Sequence, residues 1–135
     1  GDFVCNSPMA EEKKYEVGVS TQMQYLADQS DDAAERYVFS YTVSIRNSGN
    51  VTAQLISRHW IITDARNHVQ EVRGLGVVGA KPLLKPGESF EYTSGTAIAT
   101  PVGTMRGSYK MMAEDGTQFD ATIPEFTLSV PRVLH

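Results

Sequence analysis

Gly74, Gly76 and Gly79 stand in G-x-G-x-x-G spacing within RGLGVVGAKP, residues 73–82. That spacing serves phosphate chemistry when a strand feeds a tight glycine turn and then a helix. The helix N-terminus supplies free N–H groups and the positive end of a dipole. Here AKPLLKPGE follows, and Pro82 and Pro86 forbid a helix across that stretch. About twenty residues on, where a dinucleotide fold needs an acid for the ribose, the chain reads TAIATP. A P-loop fails as well. Gly74 and Gly79 have its spacing, but GAKP replaces G-K-S/T and removes the hydroxyl for magnesium. Two readings stay open. The glycines permit positive φ and tight crossing between sheets, or they form a concave anion site without a helix. The residues of that site are Arg73, Gly74, Gly76, Gly79 and Lys81, with Arg66 and Lys85 nearby in sequence.

Other chemistry is sparse. His59 and His68 have no second ligand at metal spacing, so structural histidines and no metal site are expected. Glu114-Asp115 reads as a turn, where acids bond to backbone; a weak magnesium or cobalt contact is the functional alternative there. Serines are numerous, but none lies in G-x-S-x-G and no nucleophile–base pair is visible. No catalytic residue and no cofactor are expected. The aromatics alternate as core residues rather than clustering with basic neighbours as a base-stacking platform.

These residues need a scaffold, and the chain of 135 residues is long enough for one domain. Its formal charge of −4 is spread without long runs, so a basic face for nucleic acid is absent and no nucleic-acid partner is expected. No apolar stretch is long enough for a membrane span. The first eight residues, GDFVCNSP, read as an expression-tag remnant foreign to the protein, with Met9-Ala10 as the native start and one domain over residues 9–135. Setting them aside removes Cys5, the only cysteine, and with it thiol and disulfide chemistry. No secretory signal is visible, and a cytoplasmic location is the default.

Period-2 alternation dominates the rest. Tyr15, Val17, Val19, Thr21, Met23 and Tyr25 share one face of a first strand. Tyr37, Phe39, Tyr41, Val43 and Ile45 share one face of a second. Residues 53–63, AQLISRHWIIT, are apolar on both phases, which suits a central strand. Turn chemistry separates the runs at NSGN (47–50), DARN (64–67), KPGE (85–88) and EDGT (114–117). DARN leads into a short strand near His68–Val72. Pro124 is expected at a bulge or an edge. SDDAAER, residues 30–36, reads equally as a helical turn or a polar loop. Seven or eight short strands with Gly/Pro turns predict an all-β, immunoglobulin-like or fibronectin type III-like antiparallel sandwich, with Trp60 in its core.

Two longer stretches carry a family resemblance. VRGLGVVGAKPLLKPGESFEYTSG, then TPVGTMRGSYKM, resembles the ApaG family, as do F-x-Y-x-V-x-I-x-N at 39–47 and R-x-W-x-I-x-D at 58–64. The resemblance covers about residues 15–130. It implies a fibronectin type III-like sandwich and a small bacterial protein associated with cobalt resistance and magnesium efflux. In bacteria the family's gene often neighbours one for diadenosine tetraphosphate hydrolysis. Similar domains in F-box proteins and a DNA-polymerase-delta-interacting protein imply a non-enzymatic module with a protein partner. The family's glycine stretch implies pyrophosphate or nucleotide binding at Gly74, Gly76 and Gly79 as the alternative. The family transfers no catalytic residues.

Overall fold

The computed structural model describes residues 14–131, so the readings made on residues 1–8 and on Cys5 lie outside the described residues. Eight strands follow in order: β1 (Val17–Tyr25), β2 (Tyr37–Asn47), β3 (Ala53–Asp64), β4 (Val69–Leu75), β5 (Leu83–Leu84), β6 (Ser89–Ile98), β7 (Val102–Ala113) and β8 (Gln118–Ser129). All pairings are antiparallel. One sheet runs β1-β2-β6. The other runs β4-β3-β7-β8, with β5 continuing along the edge of β3 beyond β4. The all-β sandwich expected from the alternation is the observed fold.

Alternation explains the layering. On β2 the odd positions Tyr37 to Ile45 are all buried, and Ser40, Thr42 and Ser44 are only partly so. A side-chain period of two sends these sets to opposite faces. At the centre of the core Trp60 meets Tyr41 at 5.2 Å and Phe126 at 6.1 Å between ring centroids, both edge-on. Such edge-to-face packing suits the quadrupoles of the rings.

Strand β3 is central, between β4 and β7, as its apolar character predicts. Its phases differ from the expectation. A register shift between Leu55 and Ser57 skips Ile56, so Leu55 and Trp60 both face the core although they lie on opposite phases in sequence. A β-bulge does this by inserting one residue on one strand. A second irregularity leaves Pro124 and Glu125 of β8 opposite Arg106 of β7. Pro124 therefore sits at a bulge on an edge strand, where its missing N–H costs no ladder bond.

The turns behave as their residues demand. Buried Asn47 donates through Nδ2 to Val51 O (2.8 Å) and Leu84 O (2.9 Å), and its Oδ1 accepts from Gly49 N. One amide thus fastens the β2–β3 turn to β5. Asp64 accepts from the backbone N–H of Arg66 and His68, both at 2.9 Å, and closes the β3–β4 turn. Residues 30–36 form turns, joined by a bridge between Asp31 and Arg36; one 3-10 turn lies just before them at Ala27–Gln29.

Candidate functional site

The glycine stretch is part strand and part turn. Arg73, Gly74 and Leu75 belong to β4 and face His59, Arg58 and Ser57 of β3. The sequence places the β4 strand near 68–72; cross-strand pairing carries it three residues further. Beyond it the chain makes a two-residue hairpin. Val77 N bonds to Ala80 O and Ala80 N to Val77 O, both at 2.8 Å. Its two central residues, Val78 (φ 42°) and Gly79 (φ 81°), are left-handed, which is the type I′ pattern. Gly76 is left-handed too, at φ 64°, and a Cβ there would lie 2.4 Å from Ala80 O. Its N–H bonds to Ile56 O at 2.8 Å. The N–H groups of Gly76, Val77 and Ala80 thus all have backbone partners.

Arg58 accounts for Gly74. It pairs across the sheet with buried Tyr109 on one side and Gly74 on the other, so it occupies an inward position. Its Nη1 donates to Leu75 O and Gly76 O, each at 3.0 Å. A Cβ at Gly74 would lie 2.7 Å from the guanidinium carbon. Two carbonyls that leave the β3 ladder are thereby held by one cation.

A groove of about 520 Å³ opens beside Gly74, and Arg58, Arg73, His59, Lys110 and Asp120 line it. Arg73 and Gly74 of the sequence-predicted set meet here. Gly76, Gly79 and Lys81 lie further along the chain, outside the lining; Lys81 is exposed, and its carbonyl accepts from Gln54 Nε2 at 3.0 Å. Charges alternate across the sheet surface. Lys110 pairs with Asp120 at 2.9 Å, His59 with Glu71 at 2.8 Å, and Arg73 lies 3.7 Å from Glu71. The His59 hydrogen bond, helped by the Arg73 charge, holds the Glu71 carboxyl below its ordinary range. Sequence reasoning missed Arg58 and Lys110. The signal for Arg58 was a charge on the same phase as Trp60 and Ile62.

Along the outer edge of the same sheet lie large apolar side chains. Leu75 is 69% exposed, Val78 60% and Leu83 60%. Leu75 faces Ser57 and Leu83 faces Gln54 along the rim of β3, with the hairpin tip between them in the chain. Buried Val77 anchors that tip in the core.

The remaining predicted groups are structural in their contacts. His68 lends its N–H to Asp64. Asp115 accepts from Thr117 N and from the Tyr15 hydroxyl. Among the described residues no three His, Cys, Asp or Glu side chains gather to hold a metal ion. No described helix is long and apolar enough to cross a membrane.

Known proteins match this geometry over most of the chain. A family model described as the ApaG domain matches residues 27–113. Protein ApaG of Thiobacillus denitrificans is 68% identical over 127 residues, covering 94% of this chain and all of the relative. Protein ApaG of Nitrosospira multiformis matches to the same extent. The crystal structure of the ApaA protein from Bordetella pertussis superposes with a TM-score of 0.86 at 56% identity, over 90% of this chain and 98% of that one.

Proposed function

The chain belongs to the ApaG family, and from that premise we propose that it is a non-enzymatic binding module. It engages a protein partner through the outer edge of β4 and the β5 hairpin. Val78 carries this reading. It is β-branched, 60% exposed and held at φ 42°. Such a residue is unfavourable there for backbone and for hydration alike. Strain of this kind supports a contact role more readily than a stabilising one. Leu75 and Leu83 extend the apolar rim beside it, and an edge strand offers unpaired backbone groups to an incoming strand. In this reading the family's association with cobalt and magnesium handling runs through the partner, in the cytoplasm.

The test is site-directed photo-crosslinking in the source cell, with the reactive residue at position 78. One discrete adduct is expected, and Leu75→Asp should abolish it. A control probe in place of Glu125 on β8 should give none. Equal adducts at both positions would end the reading.

A second reading has its own observation. Arg58, Arg73 and Lys110 line one groove beside Gly74, against Asp120 in the lining and Glu71 beside Arg73, which leaves one cation in excess. That balance favours a pyrophosphate or nucleotide ligand on the 73–82 stretch, with Arg73 and Gly74 in the groove and Gly76, Gly79 and Lys81 further along the same stretch. An amide NMR titration with pyrophosphate, ATP, GTP and diadenosine tetraphosphate tests it. Saturable shifts at Arg73 and Gly74 would support this reading; no shifts at millimolar ligand would remove it.

A further inference from the structure

The sandwich is closed along one side and open along the other. β1 packs against β8, but β6 and β4, the two remaining edge strands, are not a packed pair. A cleft of about 480 Å³ fills this open seam, reaching inward to Tyr41 and Trp60. Small-molecule sites have volumes of about 300–1,000 Å³.

The cleft's polar groups are unusual for a sandwich interior. Ser94 and Thr96 occupy inward positions of β6, in phase with buried Tyr92 and Ile98, where apolar side chains are the rule. Arg58, which is half-buried, and Arg36, which is exposed, line the same cleft. Among the described residues neither guanidinium has a carboxylate at ion-pair distance. Arg58 is half-buried and commits one nitrogen, Nη1, to the two loop carbonyls. Trp60 is 2% exposed, and among the described residues its Nε1 has no acceptor within hydrogen-bond geometry. Buried donors without acceptors are costly, and two cations without a counter-charge favour an anion. The aromatic floor favours a flat ring.

We propose that this seam is a binding site for a small aromatic acid, its ring against Tyr41 and Trp60 and its carboxylate or phosphate held by Arg58 and Arg36. The site opens along the seam between the two sheets; it shares Arg58 with the outer groove but takes neither Arg73 nor Lys110 from it.

Trp60 is the only tryptophan in the chain, so its fluorescence reports on this cleft. The full chain is titrated with benzoate, phenyl phosphate and inorganic phosphate. A saturable change is expected with benzoate or phenyl phosphate, and the tighter of the two identifies the acid group. Inorganic phosphate should bind more weakly than either. Arg36→Gln should weaken binding about tenfold, as loss of one charge-assisted contact does, with an unchanged melting temperature. Arg73→Gln, on the outer face, should leave the titration unaltered. Overturning results are a signal that never saturates, inorganic phosphate binding as tightly as the aromatic acids, or full affinity in Arg36→Gln.

Discussion

The guanidinium of Arg58 lies where a side chain on Gly74 would have to go. A Cβ at residue 74 would be 2.7 Å from it, and the same guanidinium holds Leu75 O and Gly76 O. Glycine at 74 is thus a requirement of its neighbour, not of its own backbone. At Gly76 and Gly79 the requirement is the positive φ.

The three glycines should therefore separate by stability. Gly76→Ala combines a left-handed φ with a clash against a backbone carbonyl and should cost about 2 kcal/mol or more. Gly79→Ala meets open space and should cost only the left-handed penalty, about 1 kcal/mol. Gly74→Ala should cost about 1–2 kcal/mol by displacing Arg58 from its two carbonyls. Adding Arg58→Gln to Gly74→Ala should cost less than the sum of the two, because both act on one contact. Urea denaturation of these variants, with Arg58→Gln alone completing the cycle, measures this. Additive costs would separate Gly74 from Arg58.

Val78 gives a prediction of opposite sign. Its turn position favours Asn or Gly, and its side chain makes no core contact that would be lost. Val78→Asn should stabilise the chain by about 1 kcal/mol. A melting temperature at or below that of the parent would show that the turn tolerates valine without strain.

Much of this fold was legible because strand alternation is local. Tyr37 to Ile45 and the NSGN and EDGT turns announce their elements from adjacent residues. The bulge at Ile56 was not legible, since it arises from pairing with β7, and it alone reconciles Leu55 with Trp60 on one face. The glycine spacing led to Arg73 and Gly74 but not to Arg58 and Lys110, which β3 and β7 bring from elsewhere in the chain. The open seam was invisible for the same reason: it depends on which edges stay apart.

Asp64 and Asp115, together with Glu71, contribute to the acid limb of stability. The His68 and Arg66 amides hold the Asp64 carboxyl below its ordinary range. The Tyr15 hydroxyl, with Thr117, brings Asp115 down to about 2. Depressed acids contribute stability above their unfolded pKa of about 4, and lose it as pH falls through the folded value. The double variant Asp64→Asn/Asp115→Asn should take up fewer protons on unfolding across that window. Its stability should then depend less steeply on pH between about 4 and 2. An unchanged slope in acid denaturation curves would assign the acid limb to other carboxylates.

The tyrosine pair behind Trp60 contributes to the alkaline limb, as does Tyr37, whose hydrogen bond to Asp32 raises its pKa. The Tyr92 and Tyr109 hydroxyls lie 2.5 Å apart. Burial pushes Tyr92 up to about 12, and burial with Tyr92 alongside raises Tyr109 as well. An unfolded tyrosine ionises near pH 10, so above that pH the unfolded chain releases protons that the folded chain keeps. Stability is therefore whole below about pH 10 and falls as pH rises towards about 12. Tyr109→Phe should cost about 1 kcal/mol at neutral pH, because the Tyr92 hydroxyl loses its partner. Tyr92→Phe should cost a similar amount. Together they should cost less than their sum, since removing both hydroxyls leaves neither without a partner. The double variant should also lose less stability between pH 10 and 11. Urea denaturation at pH 7 and at those two values measures each effect. Strict additivity, or an unaltered alkaline slope, would mean that the two hydroxyls neither couple nor control that limb.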